Sequence, residues 1–168
     1  NKMYRKIKDF VSDWESEALA TIKIFSEVTK EAKSIRSNDN IRSLEKLAWH
    51  ITHTLTEMPF RAGLMKEDYL DHKPIPDSFD EIIATYKTYS GELIKLVLDE
   101  WSDESLVEEV DIYDQQWERR NILAILVKHQ IHHRAQMTTI MRIQNLPVSG
   151  IYGPSKEEWV SFGMEPHE

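Results

Sequence analysis

At 168 residues, 40% of them hydrophobic and 30% charged, the chain has the length and balance of one domain with a sizeable core, which excludes a disordered segment. Its 29 acidic and 21 basic residues leave a formal net charge of −8, so a phosphate backbone is repelled at long range and nucleic acid is not an expected partner. Cysteine is absent, which rules out disulfides, a cysteine nucleophile and thiolate ligands, so any metal must sit on nitrogen or oxygen donors.

No apolar run approaches the roughly 18 residues of a membrane-spanning helix, and Asn1 to Arg5 lack the apolar stretch of a secretory signal. The sequence therefore predicts a single cytoplasmic domain over residues 1–168 with no membrane partner. Tyr4, Ile7, Val11, Trp14, Ala18, Ile22, Phe25, Val28 and Ala32 recur at three- and four-residue steps, which predicts a first helix from about Met3 to Ser34. After the polar break Arg36 to Asn40, the stripe resumes at Leu44, Leu47, Ile51, Leu55 and Met58 until Pro59 weakens the hydrogen-bond ladder. This second helix carries His50 near its middle.

The segment Lys66 to Asp77, with Pro74 and Pro76, reads as a loop, and Ser78 followed by Glu81 is a capping-box signature that opens a third helix running toward Trp101. The acidic run Asp99 to Glu118 reads as a solvated loop. A fourth helix spans about Trp117 to Gln144. Beyond Leu146, glycines and prolines break the chain into a tail, with a second capping box, Ser155 and Glu158, predicting a short helix that buries Trp159 against the bundle. Trp14, Phe25, Tyr86 and Trp101 are assigned to the core. The fold expected is an all-α four-helix bundle. A link of about six residues between the first two helices favours an antiparallel pair, and about twelve residues before the third suffice to travel back along a bundle ~30 Å tall, which permits an up-down-down-up course.

Chemistry concentrates in the run His129-Gln130-Ile131-His132-His133-Arg134-Ala135-Gln136. At about 100° per residue, His133 falls inside the apolar stripe of Ile122, Leu126, Met137 and Ile140, His129 lies on its edge, and His132 projects about 60° the other way. Imidazoles one turn apart can share a metal ion, as in zinc metalloproteases, although the acidic partner of that motif is missing. Seven histidines over 168 positions give about 0.3 such pairs by chance, so spacing alone is weak, and hydrogen-bonded core histidines are the rival reading. Two adjacent imidazoles in an apolar stripe need polar partners, and one shared metal satisfies both. His50 borders the buried face of the second helix and is preferred to His53, which points further toward solvent, as a third donor. Three neutral nitrogens leave a position open for water or substrate. Gln136 either orients a ligand or, buried, caps a neighbouring helix, and Glu57 either supports the site from behind or pairs with a surface cation. Val127 and Ile131 lie opposite the main stripe, so the fourth helix is apolar on two sides and a homodimer is expected.

The segments Leu47-Ala48-Trp49-His50-Ile51, His129 to Gln136, and Ile151-Tyr152-Gly153-Pro154-Ser155 with Glu158-Trp159 together resemble the DinB/YfiT-like family over nearly the whole chain. The resemblance implies an up-down-down-up four-helix bundle, often dimeric, with a metal on His50, His129 and His133. Imidazole suits zinc, nickel, iron and copper, and a divalent ion, zinc or nickel first, is expected. It also implies that some members are transferases using a low-molecular-weight thiol such as bacillithiol or mycothiol. Ala135 stands where many relatives carry glycine. The expected function is a metal-dependent, thiol-dependent S-transferase acting on a small electrophile. The alternatives are a non-catalytic metal-binding stress-response bundle and a dimeric interaction protein.

Overall fold

The structure, a computed structural model, describes residues 3–166, so the outermost two residues at each end of the expected 1–168 domain lie outside it. Helix α1 spans Ile7–Ser26, α2 Leu44–Arg61, α3 Phe79–Glu100, α4 Arg119–Ile143 and α5 Lys156–Ser161, with a 3-10 turn at Glu104–Val107 and strands β1 (Glu109–Ile112) and β2 (Gln115–Glu118) before α4. No helix among the described residues is long and apolar enough to cross a membrane.

Residue pairs along the helices define their directions. Trp14 Nε1 donates to Ser90 Oγ at 2.9 Å and Ile7 N to Asp103 Oδ1 at 2.8 Å, so α1 begins where α3 ends. Glu27 accepts from Ser149 N, and Gln144 donates to the Ile35 carbonyl, so α1 and α4 end together. Lys33 joins the starts of α2 and α3, pairing with Glu45 and donating to the Asp77 carbonyl. An up-down-down-up course fits all of these pairs.

The first helix is shorter than its apolar stripe. At Glu27 the chain tightens, its N–H meeting the Ile24 and Phe25 carbonyls, and a separate turn restarts at Thr29, whose carbonyl accepts from Ala32 and Lys33. Val28 and Ala32 remain buried, so the burial pattern persists where the ladder does not. Conversely, α2 runs through Pro59 to Arg61. Both expected capping boxes, Ser78 with Glu81 and Ser155 with Glu158, are formed. Trp14, Phe25, Tyr86 and Trp101 are all buried.

Three expectations need correction. The acidic run is not simply a solvated loop: it forms the 3-10 turn and an antiparallel hairpin that pairs Val110 with Trp117 and buries Leu106 and Ile112. The two-residue turn Tyr113-Asp114 has φ of 54° and 59°, the left-handed geometry that matches the twist of a hairpin. Trp117 accordingly belongs to β2, and α4 starts at Arg119. In the tail, α5 has no fully buried residue and Trp159 is only half-buried, because the short helix is held by polar contacts: the Glu158 carboxylate accepts from Gly150 N at 3.0 Å and Ser155 N at 3.1 Å. Val127 is covered within the chain and Ile131 is partly buried against the core.

Candidate metal centre

Helix α4 is fixed in rotation by its two buried polar residues. Gln130 Oε1 accepts from Thr21 Oγ1 at 3.0 Å and from the Tyr86 hydroxyl at 2.6 Å. One turn on, the Arg134 guanidinium, 1% exposed, donates to the Glu17 carbonyl at 3.0 Å, to Thr21 Oγ1 at 3.1 Å, to Glu17 Oε2 at 2.6 Å and to the Tyr152 hydroxyl at 2.7 Å. A buried cation without such partners would cost several kcal/mol, so these contacts leave α4 one seating against α1. Gln130 and Arg134 each follow a histidine by one residue, about 100° round the helix. With them locked on α1, His129 and His133 face α2.

There they meet His50. His50 Nε2 and His129 Nε2 are 3.0 Å apart, and the ring centroids of the three histidines lie 4.5 to 4.8 Å from one another. One ring nitrogen from each falls within 4.8 Å of the others. Nitrogens sharing one tetrahedral zinc are separated by about 3.4 Å, given bonds of about 2.0–2.1 Å, so small ring rotations close the set. His133 Nδ1 lies 2.7 Å from Gln136 Oε1, and with that nitrogen donating, Nε2 keeps its lone pair for an ion. Burial, then the neighbouring His133, pushes His50 down to about 4 and His129 also to about 4; burial lowers His133 against the opposing pull of Gln136. Neutral imidazole is the metal-binding form. The donor set, three convergent neutral nitrogens with no carboxylate, fits a divalent transition-metal ion.

The other residues singled out in the sequence are placed as follows. His53 stays outside the trio: its Nε2 meets Asp68 Oδ2 at 2.8 Å, while Thr56 donates to the other oxygen of that carboxylate, which ties the loop after α2 to the helix. His132 is exposed. Gln136 is not buried and caps no neighbouring helix; it is exposed and bridges His133 to His132, whose Nε2 lies 3.3 Å from Gln136 Nε2. Its position at 340° on the wheel, just outside the apolar arc, already places it beside His133 rather than within the core. Glu57 pairs with Arg61 and accepts from the Tyr113 hydroxyl at 2.6 Å.

Sequence reasoning missed Gln130 and Arg134. The signal available was their repeat of the histidine spacing one residue later, which widens the buried arc of α4 to about 140°. It also missed a groove of about 470 Å³ beside His133, lined in part by Asn40, Arg42, Leu47, Gln136, Ile140 and Ile143.

The sequence profile of the DinB family matches residues 3–167. The chain belongs to the DinB family. It is 35% identical over 169 residues to YrdA of Bacillus subtilis (strain 168), covering 97% of this chain and 98% of that protein. A DinB-like protein from Bacillus cereus ATCC 10987 superposes with a TM-score of 0.79 at 30% identity, over 89% of this chain and 100% of that one. The DinB-like protein YjoA of Bacillus subtilis shares the fold, with a TM-score of 0.68 at 18% identity over 88% and 99% of the two chains. The DinB family therefore accounts for the helical bundle, and the three-histidine cluster lies within the matched region.

Proposed function

We propose that this DinB-family protein binds one divalent metal ion, zinc or nickel, through His50, His129 and His133, and acts as a metal-dependent enzyme that transfers a thiol to a small electrophile. The observation that carries the reading is a carboxylate-free trio of imidazoles at the edge of a groove into which His133 and Gln136 open. Three nitrogen donors leave a coordination position for an exogenous ligand. A bound ion supplies Lewis acidity, lowering the pKa of a thiol at that position.

The chain's own residues do the remaining work. Burial keeps the imidazoles neutral, Gln136 orients His133, and Leu47 and Ile140 shield one wall of the groove from water. The chain has no cysteine, so the sulfur comes from a low-molecular-weight thiol of the bacillithiol or mycothiol type. In the transfer, a sulfur–carbon bond forms as the bond from carbon to the leaving group breaks; the leaving group departs with its electron pair and the thiol proton passes to solvent. Such thiol pools are cytosolic, and the reading places the protein there. It keeps a homodimer as well, with Ile125, which is exposed on α4, as the supporting feature.

The test is elemental analysis of protein purified without an affinity tag, for the wild type and His129→Ala, followed by thiol consumption with 1-chloro-2,4-dinitrobenzene across a panel of small thiols. Stoichiometric metal and metal-dependent thiol loss, both absent in the variant, are expected. Metal without any thiol turnover would instead favour a non-catalytic metal-binding bundle, and light scattering reads the oligomeric state.

A further inference from the structure

We propose that the groove beside the three histidines selects a ligand with an anionic far end, a carboxylate above all, received by Arg42 and Asn40, and with an apolar body lying on Leu47, Ile140 and Ile143. The inference rests on the proposed use of the same site and names the class of molecule it takes.

Charge balance is the first observation. Two nearby acids already face other cations: Asp39 pairs with Arg36, and Glu45 with Lys33 at 3.1 Å. Arg42 is exposed and, among the described residues, forms no ion pair. It lines the same groove as His133. Glu57, two turns beyond His50 on α2, is engaged by Arg61 and Tyr113. Neutral donors around a divalent ion, with a free guanidinium in the same groove, leave an excess of positive charge that only an incoming anion can offset.

Shape is the second. The groove holds about 470 Å³, within the range of small-molecule sites, and Thr139 adds a hydroxyl to its lining. Arg42 precedes the first residue of α2, Leu47 lies one turn into that helix and His50, which meets His133, about two turns in, so the guanidinium and His133 are offset along the helix axis with Leu47 between. A guanidinium recognises a carboxylate through two parallel hydrogen bonds, and a neutral isostere of the same length forfeits them.

The test uses metal-free protein titrated with hexanoate and, as its neutral counterpart, hexanamide, read by the methyl resonances of Leu47, Ile140 and Ile143. Hexanoate is expected to bind about tenfold more tightly, Arg42→Gln to abolish that preference, and Arg42→Lys to restore part of it. Because Arg42 is exposed, these variants keep the fold. Equal affinities in the wild type, a preference indifferent to Arg42→Gln, or shifts confined to other methyls would overturn the inference. Since no metal is present in the titration, failure of the metal reading would leave the preference for hexanoate standing.

Discussion

His133 Nδ1 donates to the side-chain oxygen of Gln136, 2.7 Å away and three residues further along α4. That bond fixes the tautomer and tilt of the ring and leaves Nε2 with its lone pair free for an ion. Partners of this kind are worth about 10–100-fold in metal affinity. Gln136→Ala is therefore expected to weaken zinc binding by that factor, measured by competition with a chelator of known affinity. Gln136→Glu, which keeps an acceptor in place, should retain tight binding. Unchanged affinity in Gln136→Ala would refute the role.

Removing a donor has a larger effect than removing its support. His129→Ala and His50→Ala are each expected to abolish stoichiometric metal while leaving helical circular dichroism intact, because both rings are only partly buried. Elemental analysis after dialysis decides it, and full metal content in either variant would show that the ion sits elsewhere.

The metal-free protein should lose stability in acid. Burial holds His50 and His129 at about 4, whereas an unfolded chain protonates near 6.5, so in the interval between them the unfolded state binds protons the native state refuses. Stability is fully present above about pH 6.5 and falls as the pH drops toward 4. Thermal melts from pH 7.5 to 4.5 should show this slope, and a flatter one in His129→Ala. A wild-type melting temperature independent of pH over that range would contradict it.

Arg134 anchors α4 to α1 and to the tail, its guanidinium meeting Glu17 and Tyr152. Arg134→Met leaves the Glu17 carboxylate without its cation and should destabilise by about 3 kcal/mol in urea denaturation. Adding Glu17→Gln to that variant should recover part of the loss. A cost below about 1 kcal/mol would mean that the network carries little of the packing.

Asp114 adopts a φ of 59° at the hairpin turn. Glycine reaches that conformation without a Cβ penalty, so Asp114→Gly should raise stability by about 1 kcal/mol, measurable as a shift in the urea midpoint. A loss would indicate that the aspartate side chain itself supports the turn.

Much of the fold was legible in the chain because burial follows period. The stripes on α1 to α4 and the two capping boxes report local rules that hold wherever the neighbours lie. Where those rules misled, local geometry competed with them. Val28 and Ala32 kept their burial after the α1 ladder ended at Ser26. The period-two pattern of Val110 and Ile112 was hidden inside a charge run.

By itself the sequence determined an all-α bundle, the rim of histidines on α4, and His50 as the residue most suited to join them, because the angular spacing of side chains on a helix is set by the backbone alone. Tertiary structure decided that the three rings converge, that Gln136 is exposed and holds His133, and that Arg42 faces the same groove. These relations join residues as far apart as 42 and 133, and no helical period reaches across a loop. Only the seating of α4, fixed by the buried Arg134 and Gln130, turns His129 and His133 toward α2.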